Sequence, residues 1–358
     1  MKRYKWFHLL LVLAIAFVIA ACSNTTTAPQ QSANSSGEQS AEQTAEVITL
    51  KVADSVPPTN YISTEGISYW MKRVEELTNH QVQFEYFPGE QMGKANSLLD
   101  LTKSKTIDIG YISYAMDKMP LSRVAELPSA FGTSQQGSAA YWKLVNELLL
   151  DSEFLANGVR PIWAATLPQY QVVTRDKKIE SVDDFKGLKI RSTGGALDLT
   201  LHALGATPVS IPAPETYTAL ERGTVDGALY PITSYEPYQL HKIAKYSTSN
   251  AMMGSFVAVY AINEEVFQSL PDHVKEAMVQ AGQETIEHFS SFLDQEVQAL
   301  IEKFQSEGME MYEFSDDLLA EIEQKVQPVW EDWANKQASA AVPGQEVMER
   351  FLEYMDAR

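Results

Sequence analysis

The chain has 358 residues, with 28 Lys and Arg against 47 Asp and Glu, a formal net charge of −19, and a single cysteine. That excess of acid leaves nothing to neutralise phosphates in bulk, which excludes nucleic acid as a partner, and one cysteine excludes an internal disulfide. Acidity alone is also what solubility asks for, so it names no partner.

Lys2, Arg3 and Lys5 open the chain, residues 6–19 are nearly all apolar, and Ala20 and Ala21 follow. This is the build of a secretory signal, and the apolar run falls short of the roughly 20 residues a spanning helix needs. Ile19-Ala20-Ala21-Cys22 resembles the bacterial lipobox, with isoleucine where leucine is usual; it implies that Cys22 is lipidated and begins the mature protein. Residues 1–21 therefore read as a lipoprotein signal peptide. Residues 22–46, rich in Ser, Thr, Gln and Ala with nothing to bury, read as the lipidated cysteine and a flexible tether. Removing the three basic residues of the signal leaves 25 against 47 acidic ones, a net charge of −22.

About 310 residues remain, long for one core, so two lobes are expected. VITLKVA alternates and predicts a strand, EGISYWMKRVEELTN a helix, QVQFEYF a second strand, ANSLLDLTKSK a helix and IDIGYIS a third strand. Strand, helix, strand, helix, strand is the order of parallel α/β construction. Between residues 159 and 260 a second set follows: strands in VRPIWAA, QYQVVTR, GLKIRS, TPVSI and VDGALYP, with helices in GALDLTLHAL and PETYTALERG. MGSFVAVYAIN is one more alternating strand. Beyond residue 264 the chain reads as helical, with one amphipathic run over about 271–306 and a brief strand in GMEMYEF. A run of that length must lie across two lobes or pack along one.

Arg191 follows the apolar strand GLKI and precedes the Ser192 to Gly195 turn, at the strand end where open α/β sheets deliver ligands. Spacing alone leaves two readings open, an exposed charge or an anchor for an anion, whose planar fork suits a carboxylate. The STGG turn lacks the glycine pattern and lysine of a phosphate loop. Histidines at 8, 80, 202, 241, 273 and 288 show no metal-ligand spacing, and no nucleophile motif occurs. An extracellular hydrolase therefore has no residue evidence, and no cofactor is expected.

Lys189-Ile190-Arg191, Gly205-Ala206-Thr207-Pro208, Glu215-Thr216-Tyr217-Thr218-Ala219-Leu220 and Val225-Asp226-Gly227 together closely resemble the solute-binding proteins of tripartite ATP-independent periplasmic (TRAP) transporters. FPGEQMGKANSLLDLTKSKTIDIGYIS, ELPSAF and VFQSLPDHVKEAM extend the resemblance from about residue 48 to the C-terminus. It implies an α/β, two-lobed periplasmic-binding-protein-like fold of type II, each lobe a mixed sheet flanked by helices, with a long helix spanning both. The lobes map as 47–168 for the first and 169–252 for the second. Residues 253–290 return to the first lobe and begin the spanning helix, and 291–358 are C-terminal helices packing on the second lobe and across both.

The resemblance also assigns Arg191 to the ligand carboxylate. Gln171 stands where many relatives carry a second arginine, and Leu229 and Tyr230 replace a Glu-Asn pair. Tyr111, Tyr114, Tyr170 and Tyr230 make the cleft receptive to an apolar or aromatic body, and Ala213 and Glu215 complete the expected ligand set. With one firm cation, a monocarboxylate is favoured over a dicarboxylate. The implied partners are a small organic acid, the small and large membrane-embedded permease subunits, and the membrane itself through the lipid anchor at Cys22, with the protein outside the cytoplasm. The alternatives are the binding protein of an ABC importer, which shares the two-lobed architecture and lipid anchor but is disfavoured by the Lys189-Ile190-Arg191 and Val225-Asp226-Gly227 pairing, and a ligand-presenting sensor subunit, chemically the same binder with another partner.

Overall fold

The computed structural model describes residues 46–356. The expected signal peptide, Cys22 and all but the last residue of the tether lie outside the described residues. The strands are β1 (Ile48–Ala53), β2 (Val82–Phe87), β3 (Ile109–Tyr111), β4 (Val159–Thr166), β5 (Gln171–Thr174) and β6 (Lys189–Ser192). They continue as β7 (Thr207–Ser210), β8 (Gly227–Tyr230), β9 (Tyr246–Thr248), β10 (Val257–Asn263) and β11 (Glu310–Tyr312).

Two sheets result, one per lobe. The first has the order β2-β1-β3-β10-β4 and the second β11-β9-β5-β8-β6-β7. The expected parallel start holds, since β1 pairs parallel with both β2 and β3. β10 then runs antiparallel between β3 and β4, which makes the sheet mixed. In the second sheet β6 lies parallel to β7 and β8, while β5 is antiparallel to β8 and β9.

The chain crosses between sheets after β4 and again before β10, and the two crossings are zipped together. Tyr170 N–H donates to the Gly254 carbonyl at 2.7 Å, Met253 N–H to Tyr170 at 3.3 Å, and Leu167 N–H to Phe256 at 2.9 Å. Buried backbone groups need such partners, and here the two crossings supply them for each other.

The predicted long helix is Asp272–Ser306, 35 residues and so about 50 Å long at 1.5 Å per residue. Its first half buries Val274, Met278, Ile286 and Phe289 against β4 and the helices of the first lobe. Its end buries Leu300 and Phe304 in the second lobe's own core with Val173, Ala228 and Tyr235. It thus spans both lobes. Trp163 on β4 stacks on Tyr260 of β10 at 5.0 Å and meets Phe289 edge-on at 5.8 Å, which fixes the helix on the sheet.

Two features escaped the sequence reading. Residues 134–157 form a continuous helical stretch, Ser134–Leu144 capped by the Thr133 side chain and then Val145–Phe154. β9 is three residues long, below what alternation can register. At the C-terminus, helices Asp316–Val326 and Pro328–Lys336 contact the second-lobe helix Ala196–Ala203, whereas Gly344–Asp356 returns to pack on Ser134–Leu144 of the first lobe. No described helix is long and apolar enough to cross a membrane.

Candidate functional site

Arg191 is fully buried on β6. Its Nε donates to the Ile211 carbonyl at 2.9 Å and Nη1 to the Leu229 carbonyl at 3.2 Å. The guanidinium lies 4.6 Å from the centre of the Tyr230 ring, and Nη2 has no partner among the described residues. The groups around it are the hydroxyl-bearing rings of Tyr230, Tyr114, Tyr170 and Tyr238. A buried guanidinium without a carboxylate costs several kcal/mol, of which two carbonyls and a cation–π contact offset only part. Such a group in a cleft is a candidate anion site. The exposed-charge reading of Arg191 is thereby ruled out.

Tyr114 comes from the first lobe. Its hydroxyl accepts from the Ala213 N–H of the second lobe at 3.2 Å, while the Ala213 carbonyl accepts from the Tyr230 hydroxyl at 3.2 Å. Burial pushes the Tyr114 hydroxyl up in pKa against the pull of the neighbouring Arg191 charge, so it is a neutral donor at any physiological pH. An oxygen placed between Arg191 and the Ala213 N–H is therefore well received. At present the tyrosine hydroxyl takes that place.

Tyr111, Tyr114, Tyr170, Ala213 and Tyr230 line one cavity between the lobes, together with Ile62, Tyr238 and Phe256. Its volume is about 10 Å³, room for about one water molecule. The crowding is aromatic: the Tyr170 and Tyr230 rings lie 6.3 Å apart and 12° from parallel, and Tyr238 meets Tyr230 edge-on at 5.6 Å. An organic acid can enter only if the lobes separate or these rings move.

Two of the expected ligand residues do not belong to this constellation. Gln171 is saturated at the lobe crossings: its Nε2 donates to Gln169 and Ala251 carbonyls at 3.2 and 2.8 Å, and its Oε1 accepts from Thr248 Oγ1 and Ala251 N–H at 2.9 Å each. All of its hydrogen-bonding capacity on the amide is used, so it staples the crossing, where it lines a separate cavity of about 350 Å³ with Gln169, Ala251 and Asp294. Glu215 is exposed and lies outside the cavity lining. A carboxylate there would in any case repel an acid. Tyr238 and Phe256 are residues the sequence reading missed; neither sits in a motif, and packing on Tyr230 and Tyr114 respectively brings them in.

Residues 53–337 match the family described as bacterial extracellular solute-binding protein, family 7. The chain belongs to this family. It is 24% identical over 301 residues to the C4-dicarboxylate-binding periplasmic protein DctP of Rhodobacter capsulatus, covering 82% of this chain and 88% of that one. Its fold matches a TRAP solute-binding protein from Rhodoferax ferrireducens T118 in complex with copurified benzoate, with a TM-score of 0.81 at 22% identity over 86% of this chain and 98% of the other. A second match is a TRAP periplasmic solute-binding protein from Bordetella bronchiseptica with bound (R)- and (S)-mandelate, TM-score 0.78 at 23% identity, with the same coverage of 86% and 98%. Family 7 members and these neighbours are binding proteins. Among the described residues no cluster of three or more His, Cys, Asp or Glu is arranged to hold a metal ion.

One further buried pair of this family 7 chain involves Glu126 of ELPSAF and is not marked by that motif. Arg123 and Glu126, three apart on the 3-10 turn Pro120–Glu126, pair at 2.7 Å. Burial pushes the Glu126 carboxyl up to about 7 against the attraction of Arg123. A carboxyl raised in the folded state stabilises fully below its unfolded pKa near 4.5, and that contribution is lost as pH rises through about 7. Urea unfolding should therefore show the natural chain losing on the order of 1–3 kcal/mol between pH 5 and pH 8. Glu126→Gln should flatten that slope; an unchanged slope would place the titration elsewhere.

Proposed function

We propose that the protein captures a small organic monocarboxylate with a flat apolar body between its lobes and delivers it, outside the cytoplasm, to a membrane-embedded TRAP permease. One observation carries this reading: a fully buried arginine whose Nη2 has no partner among the described residues and which none of their carboxylates pairs, set against a wall of tyrosines. The carboxylate would replace the Tyr114 hydroxyl between Arg191 and the Ala213 N–H, as a charge-assisted bond in a dry cleft. The ligand body would lie among Tyr111, Tyr170, Tyr230 and Tyr238. Bridging both lobes, it favours the closed form by population shift.

Membership in family 7 supports the transport role, and the benzoate and mandelate found in two structural neighbours support an aromatic acid. Among the cavity-lining residues there is no Lys, Arg or His, which leaves Arg191 behind the Tyr230 ring as the one cation for a carboxylate among the described residues at the cavity. Cys22, as a lipidated residue, would hold the protein at the membrane surface beside its permease.

Calorimetry with benzoate, mandelate, succinate and benzamide tests the ligand class. Benzoate or mandelate should bind and raise the melting temperature, and benzamide, which has the same shape without the charge, should not bind. Equal binding of benzamide and benzoate would sink the carboxylate reading. Binding of succinate alone would keep it and overturn the aromatic one.

A further inference from the structure

Arg123 takes no part in the ligand cavity, yet it is only 4% exposed and touches both lobes. Within the first lobe its Nε donates to Glu126 at 2.9 Å and its Nη1 to Asp117 at 3.2 Å. Its Nη2 crosses the cleft to the second lobe, donating to the carbonyls of Thr193 at 2.9 Å and Gly194 at 3.1 Å. Those carbonyls belong to the turn directly after β6, two and three residues beyond Arg191.

The turn is shaped for this visitor. Gly195 has φ +61°, which L side chains rarely adopt, and a Cβ there would lie 2.5 Å from Arg123 Nε. The Ser192 hydroxyl bonds Asp198 and accepts from the Gly194 N–H at 3.2 Å, which holds the carbonyls outward. Asp198 itself faces Arg123 from the second lobe, so acidic groups of both lobes attract the one guanidinium. The glycines of STGG thus admit an arginine where a phosphate loop would admit a phosphate.

We propose that Arg123 is the positioning residue that holds the closed form: anchored to Glu126 and Asp117 in one lobe, it clasps the turn that follows Arg191 in the other. It acts on closure, whatever acid the cleft takes. Opening breaks only the Nη2 bonds to the Thr193 and Gly194 carbonyls, because Nε and Nη1 keep their partners in the first lobe and Nη2 keeps Glu126 at 2.7 Å. A groove of about 330 Å³ beside it, lined by Asp117, Gly195, Asp198, His202 and Trp333, lets water take over the freed donors. A clasp released into water opens and closes reversibly. It also ties the position of β6, and so of Arg191, to the closed arrangement.

The test is the interlobe distance in the ligand-free full chain, read by double electron–electron resonance. Nitroxides go on exposed Lys103 and Arg222, one in each lobe, in a Cys22→Ser background. Arg123→Gln combined with Glu126→Gln removes the clasp without leaving a buried charge, and should lower the closed-to-open ratio about tenfold; Arg123→Lys should restore part of it. With benzoate as probe, the double variant should release about tenfold faster at a similar association rate, the usual partition when closure holds a ligand. A folded double variant with the natural distance distribution would overturn the proposal. Failure of the natural chain to bind benzoate would count against the aromatic-acid reading alone, since the ligand-free arm does not depend on it.

Discussion

Replacing Arg191 with methionine is expected to abolish carboxylate capture while leaving the ligand-free protein about as stable as the natural chain, or more so. The two halves of that result have separate causes. Truncating one partner of a buried charge pair costs about 2–5 kcal/mol of binding, a factor of roughly 30 to 4,000 in affinity. In the ligand-free state, however, the guanidinium is an unpaired buried cation held by two carbonyls and one aromatic face. Substituting a well-packed apolar side chain for such a group is often neutral or stabilising. Calorimetry with benzoate and urea unfolding of the same variant check both halves. A variant that unfolds while the natural chain does not would make Arg191 a structural residue.

Gly282→Ala should be among the most damaging single-methyl additions in the molecule. Gly282 lies on the long helix where it crosses β4, and a Cβ there would stand 2.1 Å from the Ile162 carbonyl oxygen. The obstacle is backbone inside a sheet, which cannot rotate away. The helix must lift, loosening Trp163 and Phe289 behind it. Overpacking of this kind costs typically 1–3 kcal/mol and more where backbone must shift, so a loss of about 3 kcal/mol or more is expected in urea unfolding. On an exposed helix face the same substitution would stabilise by up to about 1 kcal/mol, so even the sign distinguishes the two accounts. A neutral result would mean that the helix does not seat on β4 at this residue.

Most of the architecture was legible because its signals are periodic. VITLKVA, QVQFEYF and the run over 271–306 each bury the face their spacing predicts; length left the long helix either across two lobes or along one, and the family resemblance implied the first. β9 and the stretch 134–157 were not legible, the first for brevity and the second because its apolar residues are dense instead of periodic. In the cleft, Arg191 and the four tyrosines could be named from a family pattern; the structure gathers the four tyrosines around one cavity and sets Arg191 behind its wall, against the Tyr230 ring. Gln171 misled because position in an alignment does not say where an amide spends its bonds; only the crossing strand at Ala251 shows that. Tyr238 and Phe256 sit far along the chain from Arg191, and nothing local marks them. Arg123 was overlooked for a similar reason, since its meaning lies in two carbonyls 70 and 71 residues away.

Acid capture by Arg191 is tested most directly by a crystal structure grown with whichever of benzoate and mandelate binds more tightly. The account predicts a carboxylate oxygen at about 2.7–2.9 Å from Arg191 Nη2, with the Tyr114 hydroxyl moved off the Ala213 N–H and the cavity enlarged around the ring. An acid bound elsewhere, with Arg191 Nη2 still unpartnered beside Tyr230, would contradict it.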